Sequence, residues 1–154
     1  PFADGRLPES LWDLYCGVGG FALAAARAGF PRVTGVEVSS GAISSAISAA
    51  RHAGLSRSAA SFIADDATAW ARAQSPEDVP DVIVVNPPRR GIGTDLATYL
   101  NECDAPRVIY SSCNPASLAT DLAAMPTLRP VEGRIFDMFP HTTHAEVALL
   151  LERA

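Results

Sequence analysis

Trp12-Asp-Leu-Tyr-Cys-Gly-Val-Gly-Gly-Phe21 reads as a strand, a glycine-rich turn and the first residues of a helix. Gly17 and Gly19 allow backbone to come close to a ligand, and acidic Glu37 ends the next apolar run. A carboxylate at that strand tip can accept both hydroxyls of a ribose, so the pair of features points to a nucleoside cofactor. The spacing Gly17-x-Gly19-x-x-Ala22, with an acid 20 residues beyond Gly17, also satisfies the loose dinucleotide fingerprint. Asp13 favours S-adenosylmethionine over NAD, because an acid ahead of the glycines suits a cationic cofactor and repels a pyrophosphate. Tyr15 and Phe21 border the turn and join Asp13, Gly17, Gly19 and Glu37 as expected cofactor contacts.

Outward from this turn, short Val/Ile-rich runs alternate with Ala-rich helical stretches, the pattern of a doubly wound α/β sheet. Seven strands are expected, at Leu11 to Tyr15, Arg32 to Glu37, Ser58 to Ile63, Asp81 to Val85, Arg107 to Ser111, Arg129 to Phe136 and Ala145 to Glu152. Helices are expected from Gly20 to Ala28, Gly41 to Ala53 with Ser40 as cap, Ala67 to Ala73, Thr94 to Cys103, and Pro115 to Met125. The link between the last two strands is too short for a helical crossover, so those two are expected to be antiparallel.

The 154 residues, 48% hydrophobic and 19% charged, fit one packed domain without need of a disulfide or structural metal. Apolar runs such as Val147-Ala-Leu-Leu-Leu151 fall far short of the ~18 residues that span a bilayer. A net charge of −5 and twelve arginines without a lysine give no basic face, so strong nucleic-acid affinity is not expected of this chain alone. Cys16, Cys103 and Cys113 are odd in number and lack C-x-x-C spacing, which fits a reducing cytoplasm better than a disulfide framework. The residues ahead of the first strand read as the tail of a longer protein.

Four further stretches carry chemistry. Asp65 and Asp66 follow the third strand, where one carboxylate can meet an adenine amine and the other can cap a helix; Asp65 is assigned to the ligand and Asp66 to the cap. The fourth strand ends in Asn86-Pro-Pro-Arg-Arg-Gly91, whose amide can donate to a base carbonyl and accept from a ring N–H, reading a uracil edge, and Asn86 is expected to contact the cofactor as well. Arg89 is a candidate substrate contact. Tyr110-Ser-Ser-Cys-Asn-Pro115 sets the Cys113 thiol at a helix N-terminus, where the dipole favours the anion, with Asn114 as cap and Pro115 at the first helical position. Glu146 enters an otherwise apolar strand as a candidate proton acceptor. His141 and His144 raise zinc as a minor alternative, but no P-C-x-x-C partner accompanies them, and no metal site is assigned.

Taken together, Asp13-Leu-Tyr-Cys-Gly-Val-Gly-Gly-Phe21, Asn86-Pro-Pro-Arg-Arg-Gly-Ile-Gly93, Tyr110-Ser-Ser-Cys-Asn114 and Phe136-Asp-Met-Phe-Pro-His-Thr-Thr-His-Ala-Glu146 resemble the RNA uracil-5-methyltransferase family, its 23S ribosomal RNA branch in particular. The resemblance runs from Leu11 to Glu152 and implies a Rossmann-like class I S-adenosylmethionine-dependent methyltransferase. Its seven-stranded, mostly parallel sheet would have an antiparallel last strand. It further implies that Cys113 adds to carbon 6 of a uracil in RNA, that Glu146 removes the carbon-5 proton, and that Asn86 holds the base. Many relatives carry Asp where Asn86 stands. Relatives also have an upstream region with RNA-contacting elements, a cofactor-contacting glutamine and, in this branch, cysteines for an iron–sulfur cluster. None of these is among the present residues, so such a cluster is expected only in a longer protein, and the isolated chain is expected to methylate RNA weakly or not at all. The alternatives are a tRNA uracil-5-methyltransferase, an adenine amino-methyltransferase, an NAD-dependent oxidoreductase and a non-catalytic cofactor-binding module.

Overall fold

The computed structural model describes residues 5–137 and 145–153. Seven strands form one sheet in the order β3-β2-β1-β4-β5-β7-β6. They are β1 (Ser10–Leu14), β2 (Arg32–Glu37), β3 (Ala60–Ala64), β4 (Val82–Val85), β5 (Arg107–Ser112), β6 (Leu128–Phe136) and β7 (Glu146–Arg153). Helices α1 (Gly20–Arg27), α2 (Ser40–His52), α3 (Ala67–Arg72), α4 (Gly93–Glu102) and α5 (Pro115–Ala123) connect them. β1 to β5 pair in parallel, while β7 is antiparallel to both β5 and β6. The expected antiparallel relation of the last two strands is therefore present. The sequence did not indicate that β7 inserts between β5 and β6.

The strand order reverses between β1 and β4, and in open α/β sheets the crevice at that point, at the carboxyl ends of the strands, is where ligands bind. The β1–α1 glycine turn and the Asn86 loop after β4 flank this crevice.

Two apolar layers hold the sheet. Leu14, Ile83, Val85, Val108, Tyr110 and Leu151 pack with Leu96 and Leu100 of α4 on one face. Leu11, Val33, Val82 and Val84 pack with Ala22 of α1 on the other. Each fully buried Leu or Ile contributes on the order of 1.5–3 kcal/mol relative to exposure. Further along the α1 side, Ile109, Ala148 and Leu150 stay half-buried and border a groove of about 170 Å³.

Several boundaries differ from those expected. α2 starts one residue early, so its cap is Ser39, whose extended backbone lets Oγ accept from the Ala42 N–H at 3.3 Å, and not Ser40. β3 begins at Ala60 because Ser56 Oγ accepts from the Ala59 N–H at 3.2 Å and holds residues 56–59 in a turn. Cys103 closes α4 with extended backbone instead of lying within it. A 3-10 turn at Pro76–Asp78 had no counterpart in the sequence reading. β6 carries a bulge between Pro130 and Glu132, and as an edge strand it tolerates the proline.

Candidate active site at the carboxyl edge of the sheet

After β1 the chain turns sharply. Tyr15 has a φ of 65°, a left-handed conformation that costs a non-glycine residue about 1–3 kcal/mol. Gly17 and Gly19 follow at φ 54° and 87°. Gly19 is also sterically required, because a Cβ there would sit 2.9 Å from the Phe62 ring and 3.1 Å from the Ala46 methyl. A Cβ on Gly17 would meet nothing within 4 Å, so the space over that residue is open.

Glu37 stands at the tip of β2 with Oε2 accepting from the Gly17 N–H at 3.3 Å and Oε1 from the Ser39 N–H at 3.0 Å. Each carboxylate oxygen keeps lone-pair capacity for a second donor, so a ribose can bind to an acid already fixed by backbone. Val18, Phe21 and Val38 are exposed apolar residues around the same turn, at 62%, 44% and 74%. Val38 was not singled out from the sequence. Its signal was available: an apolar residue directly after the strand-tip acid.

Asp13 lies beneath the turn. It is fully buried, and its Oδ2 accepts from the Ala22 N–H at 2.9 Å, bracing the start of α1, while Oδ1 has no partner. Its reach to a bound cation is therefore through the field and through the turn it holds, with no open face of its own. Burial pushes its pKa up to about 7, opposed by the Ala22 N–H. A carboxyl raised from 3.8 in this way contributes stability that is fully present below about pH 4 and is lost as pH rises to about 7. Wild-type stability should accordingly fall by up to about 4 kcal/mol across that window from this group. Asp13→Asn should flatten that part of the profile and melt higher than wild type at pH 8; denaturant unfolding from pH 4 to 8 measures both, and parallel profiles would contradict the assignment.

Asp65 is exposed at the tip of β3, its N–H bonded to the Glu37 carbonyl at 3.1 Å and its Oδ1 accepting from the Asp66 N–H at 2.8 Å. Asp66 caps α3 through the Ala69 N–H at 2.8 Å, as expected. Tyr15 is half-buried, with its hydroxyl hydrogen-bonded to Thr68 and Asp66, Arg90 and Asp121 nearby; burial raises its pKa.

Asn86 is exposed directly beyond β4, its backbone N–H donating to the Leu14 carbonyl at 3.4 Å across the switch point, and Pro87 behind it is buried. Asn114 joins this loop to the next one. Its Oδ1 caps α5 through the Ala116 N–H at 3.2 Å while its Nδ2 donates to the Arg89 carbonyl at 2.9 Å. Deeper down, buried Asp121 accepts from the Ile92 N–H at 3.0 Å and from the Tyr110 hydroxyl at 2.5 Å. Sequence reasoning found the cap but missed this second role of Asn114, and it missed Asp121 altogether, because both depend on long-range contacts. Gly91 has a φ of 85°, and a Cβ on it would collide with the Asp121 carboxylate. Gly91→Ala should thus destabilise the fold by about 3 kcal/mol, from left-handed strain plus a displaced buried acid. A melting temperature within about 2 °C of wild type would contradict this.

Cys113 follows β5 and is half-buried. The β5–β7 ladder ends with Ser112 opposite Val147, after Ser111 opposite Ala148. Cys113 lies one residue beyond that last pair, in the bend that leads into α5, and Glu146 is the first residue of β7, one residue before Val147. Ser111 Oγ donates to Glu146 Oε1 at 2.5 Å. Glu146 is only half-buried, so the enclosed strand position suggested by its apolar neighbours is open on one side. Ser111 escaped the sequence reading although a two-residue offset from Cys113 was its signal. Burial pushes the other two thiols up, Cys16 to about 12, which leaves both poor nucleophiles. Residues 138–144, including His141 and His144, lie outside the described residues.

The crevice thus gathers the glycine turn, Glu37, Asp65, Asn86, Cys113 and Glu146 along one edge. Among the described residues no group of three or more His, Cys, Asp or Glu is placed to hold a metal, and no helix is long and apolar enough to cross a membrane.

A family profile described as RNA cap guanine-N2 methyltransferase matches residues 9–102, which contain the glycine turn but neither Cys113 nor Glu146. The chain is 48% identical over 150 residues to the 23S rRNA (uracil(747)-C(5))-methyltransferase RlmC of Shewanella amazonensis, covering 97% of this chain and 38% of that protein. It is also 48% identical over 147 residues to the RlmC of Halothiobacillus neapolitanus, with 95% and 38% covered. The chain therefore spans less than two-fifths of the length of these curated relatives. Among solved structures, the Pyrococcus abyssi tRNA (uracil-54, C5)-methyltransferase in complex with S-adenosyl-L-homocysteine superposes with a TM-score of 0.81 at 32% identity, over 93% of this chain and 34% of that one. A profile described as tRNA (Uracil-5-)-methyltransferase matches residues 77–154, half of the chain and the half that holds Asn86, Cys113 and Glu146, and the chain belongs to that family.

Proposed function

We propose that this chain is the catalytic part of an enzyme that methylates carbon 5 of a uridine in RNA with S-adenosylmethionine, and that the RNA is 23S ribosomal RNA in the cytoplasm. The observation that carries the reading is that Ser111, two residues before Cys113, holds the Glu146 carboxylate at the edge that also bears Asn86 and the glycine turn.

The residues present fit the cofactor. Glu37 meets the ribose hydroxyls, the open space over Gly17 admits the ligand close to backbone, and Asp65 with exposed Val38 offers an acceptor and an apolar surface to the adenine. When bound, the cofactor supplies an electrophilic methyl group on a sulfonium. This chain does the rest. Asn86 holds the uracil edge and stabilises charge on its oxygen. The Cys113 thiolate adds to carbon 6, making carbon 5 an enolate carbon able to take the methyl group. Glu146 then removes the carbon-5 proton, the carbon 6–sulfur bond breaks, the thiolate leaves and the 5,6 double bond returns. The base must be splayed from its helix or loop to reach this edge.

The 48% identity to proteins named as 23S rRNA methyltransferases favours ribosomal RNA over tRNA. Electrostatic affinity for the RNA phosphates belongs to parts outside these acidic residues, consistent with the net charge of −5. The test is incubation of the full-length polypeptide with labelled S-adenosylmethionine and unmodified 23S RNA, followed by nucleoside analysis. The expected product is 5-methyluridine; label in adenosine or guanosine, or in tRNA only, would contradict the proposal.

A further inference from the structure

We propose that Phe136 is a stacking platform for the nucleotide that flanks the reacting uridine; this rests on the RNA methyltransferase reading above. Phe136 is the last residue of β6 and pairs directly with Glu146. Glu146 also accepts from the Ser111 hydroxyl of β5, and Cys113 lies one residue beyond the Ser112–Val147 pair. Opposed residues of antiparallel strands project to the same side, so Glu146 and Phe136 form a row at the top of the sheet, and Cys113, in the bend directly after β5, stands at its head. Phe136 is 44% exposed at the end of this row, whereas Ile109 and Leu150 lower on the same face are half-buried.

Spacing decides what the ring can touch. Neighbouring strands lie about 4.8 Å apart, so Phe136 sits one interval beyond Glu146 and about 10 Å from the end of β5, where Cys113 follows. A pyrimidine joined to Cys113 through carbon 6, with carbon 5 toward Glu146, fills the first interval. The next flat group along the row is a neighbouring base. RNA strands splayed for base access are commonly held by stacking on exposed aromatic side chains, and the contact tolerates any base because each has a π-face. A merely structural Phe136 would be an edge-strand hydrophobe that leucine replaces. Ile135, 75% exposed and paired with Val147, points to the opposite side of the same strand and provides the control.

The experiment uses the full-length enzyme and a short RNA hairpin that wild type methylates, in single-turnover assays over a range of RNA concentrations. Phe136→Leu should raise the half-saturating RNA concentration on the order of tenfold. Its maximal rate, S-adenosylhomocysteine affinity and melting temperature should match wild type. Phe136→Trp should restore RNA affinity, and Ile135→Ala should leave it unchanged. Removing the flanking base from the hairpin should weaken wild type by a similar factor and leave Phe136→Leu no weaker than before. Unchanged half-saturation in Phe136→Leu, or a loss accompanied by a lower melting temperature and not restored by tryptophan, would overturn the proposal. A wild-type enzyme that forms no 5-methyluridine would instead sink the reading on which it rests.

Discussion

Replacing Cys113 by alanine in the full-length polypeptide is expected to lower methyl transfer into RNA on the order of 10⁴-fold or more, while leaving affinity for S-adenosylhomocysteine unchanged. Carbon 5 of uracil is too weak a nucleophile to attack a sulfonium methyl unaided. Addition of the thiolate to carbon 6 is what turns it into an enolate carbon, so removing the sulfur removes the route and not only one contact. No other thiol can substitute. Cys16 is buried at the end of β1, and Cys103 lies beyond α4, after the chain has left the carboxyl edge. The proposed contacts to the ribose and adenine follow β1, β2 and β3, apart from Cys113 on the far side of β4. Methylation within about tenfold of wild type would mean that the nucleophile is misassigned.

Replacing Glu146 by glutamine should give a different failure. Glutamine keeps an oxygen to accept from the Ser111 hydroxyl but takes no proton, so the geometry survives and the base does not. Addition and methyl transfer proceed, and elimination stalls. Turnover is expected to drop about 10²- to 10⁴-fold, with a covalent protein–RNA species building up on ordinary uridine RNA, visible as a slow band in denaturing gels and absent from the double variant Cys113→Ala/Glu146→Gln. Release of free methylated RNA at the wild-type rate would remove Glu146 from the role of proton acceptor.

These two residues illustrate which parts of the site were legible in the sequence. The strand–glycine–helix run and the acid at Glu37 could be read because the requirements are local: positive φ at Gly17 and Gly19, and a strand tip 20 residues on. Caps at Asp66 and Asn114 were equally local. Ser39 for Ser40, and Ala60 for Ser58, are shifts in places where several serines compete for the same backbone amides. What no short window contains is the insertion of β7 between β5 and β6. That insertion alone brings Glu146 to the end of β5, next to the bend that holds Cys113, 33 positions earlier in the chain, and it sets Ser111 and Phe136 on the same side. Asp13 shows the converse limit. Its place in the strand is legible, but its full burial and its bond to the Ala22 N–H, which make it a brace under the turn, arise only from the packed fold.

The most direct test of the covalent pathway is trapping. Full-length enzyme, S-adenosylmethionine and 23S RNA containing 5-fluorouridine should yield an adduct that survives denaturation, because carbon 5 then has no proton for Glu146 to take. Digestion and mass spectrometry are expected to find the methylated fluoropyrimidine on the peptide containing Cys113. An adduct on another residue, or methylated RNA released with no adduct under the same conditions, would contradict the account.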